Sequence, residues 1–279
     1  MESLPTAVVS GIRYFDRGAS DGKLPCVLIH GLGNSLDFWT AVAPLLSEDR
    51  RVIAMDLPGF GDSSVPEAGF TLETIVEGLS RFLDHRDVGE FILVGHSLGG
   101  IVALRLAGLD TRVQRIGLVD ANLLGAAEVL QNGREALVHP RLAAAVLSQF
   151  IGGLIPFNAT TARMFSRTGL LRRITLWPFV YSSRQIDDEL LSVALSHNGG
   201  LSALRVLAAV QSIALPDLMK AVLKPTDLVW GAEDRLLTAE DLRRTREIMA
   251  VQQELAIPHC GHWPMLEKPE ILAEFIRGL

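Results

Sequence analysis

The chain has 279 residues, 48% of them hydrophobic, and a net charge of −6. That is ample for a sizeable core and excludes disorder, while an acidic balance without long single-sign runs excludes nucleic acid as the main partner. Two cysteines, Cys26 and Cys260, make no disulfide framework; with no signal-peptide pattern and no apolar run of spanning length, they point to a soluble, cytoplasmic protein without a membrane span.

In chain order, Ala7–Val9 and Ile12–Phe15 read as an opening hairpin that turns at Ser10-Gly11. Short apolar strands follow at Cys26–His30, Val52–Asp56, Phe91–Gly95, Gln114–Asp120, Asp227–Gly231 and Gln252–Ile257. Helical patterns fall between them at Leu36–Leu46, Leu72–His85, Leu98–Leu109 and Ala239–Met249, and Pro264–Arg277 closes the chain. Such alternation predicts an α/β fold: a mostly parallel, eight-stranded sheet with helices on both faces. From 123 to 215 no strand is evident and several short helices are. That stretch reads as a helical cap inserted after the sixth strand, leaving 1–122 and 216–279 as the core. It would stand over the strand ends as a lid.

The most telling stretch is Gly95-His96-Ser97-Leu98-Gly99, reached directly from the apolar run Phe91-Ile92-Leu93-Val94 and followed by a helix. A serine at a sharp strand-to-helix turn sits in strained backbone, and only glycine neighbours let the two segments pass so closely. This pattern is the nucleophile elbow. A serine hydroxyl needs a base, and the base needs a third group to orient it. His262 follows the last strand, in Gly261-His262-Trp263-Pro264, and Asp234 follows the strand Leu228-Val229-Trp230. The order Ser97, Asp234, His262 is the one expected with this elbow. Asp120, at another strand end, is an alternative acid. The amide of Leu98, directly after the serine, is one candidate donor to an oxyanion.

These motifs, with His30-Gly31-Leu32-Gly33-Asn34-Ser35 and Asp56-Leu57-Pro58-Gly59-Phe60-Gly61-Asp62-Ser63-Ser64, resemble the α/β-hydrolase fold superfamily, of the serine type with a helical cap. The resemblance spans nearly the whole chain. It implies a second oxyanion donor in the amide of Leu32, and it says much less about substrate.

Neighbouring residues carry structural readings. Asp56, Asp62 and Ser63 are expected to fix the turn at Pro58-Gly59, His30 to anchor the oxyanion loop, and His96 to turn away from the site. His259, Cys260 and His262 lack a fourth ligand, and a ligating His262 could not act as base, so no metal is expected. His85, His139 and His197 have no visible partner and read as surface residues. Serine rather than aspartate at the elbow disfavours alkyl-enzyme chemistry and leaves acyl transfer to water without a cofactor. Large apolar residues of the insertion, among them Leu123, Leu147, Phe150, Phe165, Trp177 and Phe179, suggest a small-molecule, apolar substrate. An ester hydrolase is therefore the first reading. A carbon–carbon hydrolase of vinylogous diketones and a ligand receptor on the same scaffold are the others.

Overall fold

The computed structural model describes residues 3–19, 22–121, 124–200, 202, 205 and 213–279, with side chains in all but a few of these. Eight strands form one sheet: β1 (Ala7–Val9), β2 (Ile12–Arg17), β3 (Cys26–Ile29), β4 (Val52–Met55), β5 (Phe91–His96), β6 (Val113–Val119), β7 (Thr226–Gly231) and β8 (Val251–Ile257), in the spatial order β1-β2-β4-β3-β5-β6-β7-β8. The first two are antiparallel to their neighbours and the rest run parallel.

Alternate residues of each central strand enter different cores, as a pleat of period two requires. Cys26 and Leu28 of β3 join one cluster, with Ala54, Val94 and Val119. Val27 and Ile29 join the other, with Ile53, Leu93 and Leu118. The first face is covered by the helix α1 (Ala43–Leu46) and, through Leu272 and Ile276, by the chain's last helix. The second is covered by α2 (Leu72–His85), whose Ile75, Leu79 and Phe82 point inward, and by α3 (Leu98–Leu109).

Two expected helices are each broken in two. Leu36–Leu46 is a 3-10 turn at Leu36–Trp39 followed by α1, whose Pro44 sits in the first turn, where a missing N–H costs little. The closing helix splits at Lys268, before Pro269, as expected where proline follows.

Between β6 and β7 lie α4 (Leu124–Gln131), α5 (Gly133–Val138), α6 (Pro140–Leu154), α7 (Ala159–Ser166), α8 (Gly169–Leu176), α9 (Asp188–Leu195) and α10 (Leu215–Lys220). After β7 come α11 (Ala239–Ile248), α12 (Pro264–Glu267) and α13 (Pro269–Arg277). Leu123, at the expected start of the insertion, and the side chain of Phe150 lie outside the described residues.

Candidate active site

Ser97 is the hinge between β5 and α3, and its backbone has φ 52° and ψ −120°. A non-glycine residue in that region is strained. The flanking glycines are required by contact as well: a Cβ on Gly95 would lie 2.4 Å from the Gly99 carbonyl oxygen, and one on Gly99 would lie 2.5 Å from that of His30. A Cβ on Gly31 would stand 3.1 Å from the Ser97 Cβ, so the turn carrying Leu32 presses against the serine. Leu98 opens α3, and its amide therefore has no partner within the helix.

His262 and Asp234 are both buried, and the imidazole Nδ1 meets Asp234 Oδ2 at 2.8 Å. Asp234 Oδ1 accepts the Leu236 amide at 2.8 Å. Burial by itself would raise Asp234, but His262 and these hydrogen bonds hold its carboxyl below the ordinary range. Nε2 of His262 is buried and has no hydrogen-bond partner among the described residues, and the Ser97 hydroxyl is not bonded to it. His262 sits against the elbow through its neighbour: the rings of His96 and His262 are 5.0 Å apart, and His96 Nε2 donates to the His262 carbonyl at 2.8 Å.

A family model described as alpha/beta hydrolase fold matches residues 25–269. The chain belongs to that family. The α/β-hydrolase-fold chain is 30% identical to a dihydrolipoyllysine-residue acetyltransferase component of an acetoin cleaving system from Pseudomonas putida, over 93% of its own length and 64% of the relative's. It is 27% identical to a 2-hydroxy-6-oxo-6-(2'-aminophenyl)hexa-2,4-dienoic acid hydrolase from Metapseudomonas resinovorans, covering 94% of this chain and 84% of that one. Among solved structures, the thioesterase domain from the curacin biosynthetic pathway superposes with a TM-score of 0.71 at 21% identity, over 100% of this chain and 99% of that one. Likeness at that identity speaks for the fold alone.

Asp120 stands behind the pair. Its backbone is also left-handed, with φ 45°, and its Oδ1 accepts the Gly231 amide at 3.0 Å. Its carboxyl is held well above the ordinary range, first by complete burial and then by the charge of Asp234 beside it. Its Oδ2 has no partner among the described residues, and Asp120, Asp234 and His262 bring polar atoms within 4.8 Å of one another. The imidazole Nδ1 is held by Asp234, not by Asp120.

The histidines near the elbow fall into fixed roles. His30 Nδ1 donates to the Gly31 carbonyl at 2.8 Å and Nε2 accepts the Leu57 amide at 2.9 Å, tying the turn after β3 to the turn after β4. Burial lowers its pKa to about 4, so it is neutral. His96 does not turn away as the sequence suggests; it packs on His262, and burial, helped by that neighbour, lowers it to about 3. Asp56 does fix its turn, accepting the amides of Leu36 at 2.6 Å and Asp62 at 3.0 Å. Cys260 is buried, and burial pushes its thiol up.

Three positions escape a reading of the sequence. Glu267, buried, accepts the Gly261 amide at 2.6 Å and the Ser182 amide at 3.1 Å, bracing the histidine loop against the insertion. The carbonyl of Phe179 takes the His262 amide at 2.6 Å. His197, expected on the surface, is half-buried, with Nδ1 2.7 Å from Asp37 Oδ2. Asp37 is also held by Arg13 at 2.8 Å, and Arg13 reaches Asp56 at 3.3 Å. Only the glutamate follows a local cue, three residues after the proline that opens α12.

A cavity of about 450 Å³ lies between core and insertion. The core contributes Leu32, Asn34 and Trp263, the first and last being neighbours of the elbow turn and of His262; the insertion contributes the rest, including Phe157, Phe165 and Phe179. No described wall residue is charged. Leu147, Ile151 and Trp177 face solvent instead.

Proposed function

We propose that the chain is a serine hydrolase cleaving carboxylic esters of small or medium, largely apolar substrates through an acyl-enzyme. One observation carries the reading: a strained serine stands at a strand–helix junction, and the residue before it packs on a buried histidine whose Nδ1 is held by a carboxylate and whose Nε2 has no partner among the described residues. Ser97 Oγ attacks the ester carbonyl while its proton passes to His262 Nε2. A bond between Ser97 Oγ and His262 Nε2 would form with the substrate in place, where such catalytic bonds commonly tighten. The amides of Leu32 and Leu98 receive the oxyanion, and loss of one such donor costs about 3–4 kcal/mol of transition-state stabilisation. The intermediate collapses, the ester C–O bond breaks, and Nε2–H protonates the departing alcohol. Water then repeats the attack on the acyl-enzyme, Ser97 regains its proton, and a carboxylic acid leaves.

Asp234 keeps the imidazole in the tautomer that leaves Nε2 free, and it balances the imidazolium. Asp120, as a neutral acid, positions Asp234. The helices between β6 and β7 act as a cap whose walls select the acyl or alcohol group. Two free, buried cysteines suit a reducing compartment, and we place the protein in the cytoplasm.

A second reading rests on the Metapseudomonas resinovorans relative, named as a hydrolase of a dienoic acid. Such a substrate carries a carboxylate, and a cavity with no charged residue among its described walls favours a neutral ester over it. Purified protein offered p-nitrophenyl butyrate and a vinylogous diketone acid in parallel is expected to turn over the ester. Cleavage of the diketone acid alone would replace the first reading with the second.

A further inference from the structure

The insertion carries an anomaly of charge and of exposure. From 136 to 186 the sequence holds six arginines and no aspartate or glutamate, in a chain whose net charge is −6. Eleven of the sixteen large apolar side chains exposed among the described residues fall between Leu137 and Tyr181. Soluble surfaces scatter such residues singly; a contiguous patch marks an interface.

The anomaly is sharpest at α8, which buries Arg172 beside Leu176 and leaves other apolar side chains outside. Arg172 is buried, its guanidinium held by the carbonyls of Ser166, Ser183 and Ile186 and by Asp188. Leu170, Arg173, Ile174 and Trp177, at spacings i, i+3, i+4 and i+7, form one stripe facing solvent. Leu170, Ile174 and Trp177 are 73%, 64% and 62% exposed. The opposite side of the same helix, with Leu171 and Thr175, walls the apolar cavity. Beside the stripe lies a second cavity of about 440 Å³, whose walls include Arg167, Leu170, Arg173 and Arg184 together with the paired Arg172 and Asp188. Arg167, Arg173 and Arg184 are exposed, and none is ion-paired with a described residue.

An apolar stripe flanked by unpaired arginines matches an interface of acyl chains and negative headgroups. No helix among the described residues is long and apolar enough to cross a membrane, so attachment would be at the surface. We propose that α8 and its flanking arginines dock the protein on an anionic phospholipid bilayer, Leu170, Ile174 and Trp177 entering the headgroup–acyl boundary and Arg167, Arg173 and Arg184 pairing with lipid phosphates. The wall of the substrate cavity then rests on the lipid. That esters dissolved in the bilayer are the substrate rests on the ester-hydrolase reading; docking itself does not.

Co-sedimentation of the intact protein with vesicles tests this, comparing phosphatidylcholine alone with three parts phosphatidylcholine to one of phosphatidylglycerol. Binding to the anionic vesicles is expected, lost in half-molar salt and kept by Ser97→Ala. The pair Leu170→Ser and Ile174→Ser should weaken it about tenfold, and Arg167→Gln, Arg173→Gln and Arg184→Gln together about 100-fold. Both sets should leave turnover of water-soluble p-nitrophenyl acetate unchanged, so loss of docking is distinguished from loss of the active site. No binding to anionic vesicles, or binding indifferent to both sets, overturns the proposal. So does a dimer in sedimentation velocity that the serine pair dissolves without any vesicle binding, because the stripe would then be covered by a second copy of the chain.

Discussion

The sheet core and the helical insertion are held together by different kinds of contact. In the core, backbone meets backbone: at Gly95, Gly99 and Gly231 an added Cβ would come within 2.5 Å of a carbonyl oxygen. The insertion joins the core through side chains, with His197 on Asp37 and Glu267 under Ser182, and through single backbone bonds, with the Phe179 carbonyl on the His262 amide and the Gly33 carbonyl on the Gly199 amide. On the proposed reading the core carries Ser97, Asp234 and His262, and the insertion reaches them through the Phe179 carbonyl on the His262 amide. It also supplies most of the cavity lining. On the proposed function, chemistry and selectivity are thus housed in different parts of one chain.

The most severe way to break the comparison is to remove a reacting group from the core. Ser97→Ala or His262→Ala should lower ester turnover on the order of a million-fold. Asp234→Asn should cost about 10⁴-fold, because the wrong tautomer is then favoured. Asp120→Asn should cost less than about tenfold, since an amide in its place still accepts from Gly231 and donates to Asp234. The reverse ranking of the two asparagine variants would make Asp120 the acid.

Core packing is tested by Gly99→Ala, whose Cβ meets backbone that cannot step aside. We expect a loss of about 3 kcal/mol in urea unfolding; an unchanged midpoint would contradict the close approach of elbow and turn. Change in the insertion should act differently. Thr175→Phe fills part of the cavity and should raise KM for p-nitrophenyl decanoate about tenfold, with kcat on the acetate ester unmoved. A fall in kcat on both esters would mean that the cap does more than select.

The smallest effect concerns the His197 clasp. Asp37, Asp62 and Arg13 face this imidazole, and its pKa is raised, chiefly by the hydrogen bond to Asp37. A raised folded pKa adds stability that is complete below the ordinary histidine value and is lost as pH climbs through the folded one. His197→Gln should thus lower Tm on the order of 2 °C at pH 6 and by less at pH 9. A gap that does not narrow with pH would rule out the charged clasp.

The sequence discloses the two regions unequally, for the same reason. A backbone turn against backbone admits only glycine, so Gly95 and Gly99 of Gly95-His96-Ser97-Leu98-Gly99 are visible as a pattern, as is Gly31, pressed by the His96 and Ser97 side chains, and the strands are visible through their unbroken apolar runs. Side-chain contacts leave no such trace. His197 and Asp37 are 160 positions apart, and nothing near either one names the other. The burial of His96 against His262 likewise arises from how β5 and the loop after β8 meet. The stripe on α8 leaves no trace either: Trp177 reads from the sequence as a residue of the substrate pocket, and only the structure shows it exposed beside Leu170 and Ile174 while Arg172 turns inward.

Central to the account is that Ser97 is activated by His262. Treating the protein with a fluorophosphonate and mapping the adduct by peptide mass spectrometry tests this directly. The label should lie on Ser97, forming rapidly in the wild type and at least about a thousandfold more slowly in His262→Ala. A label on another residue, or one on Ser97 that forms as fast without the imidazole, would contradict it.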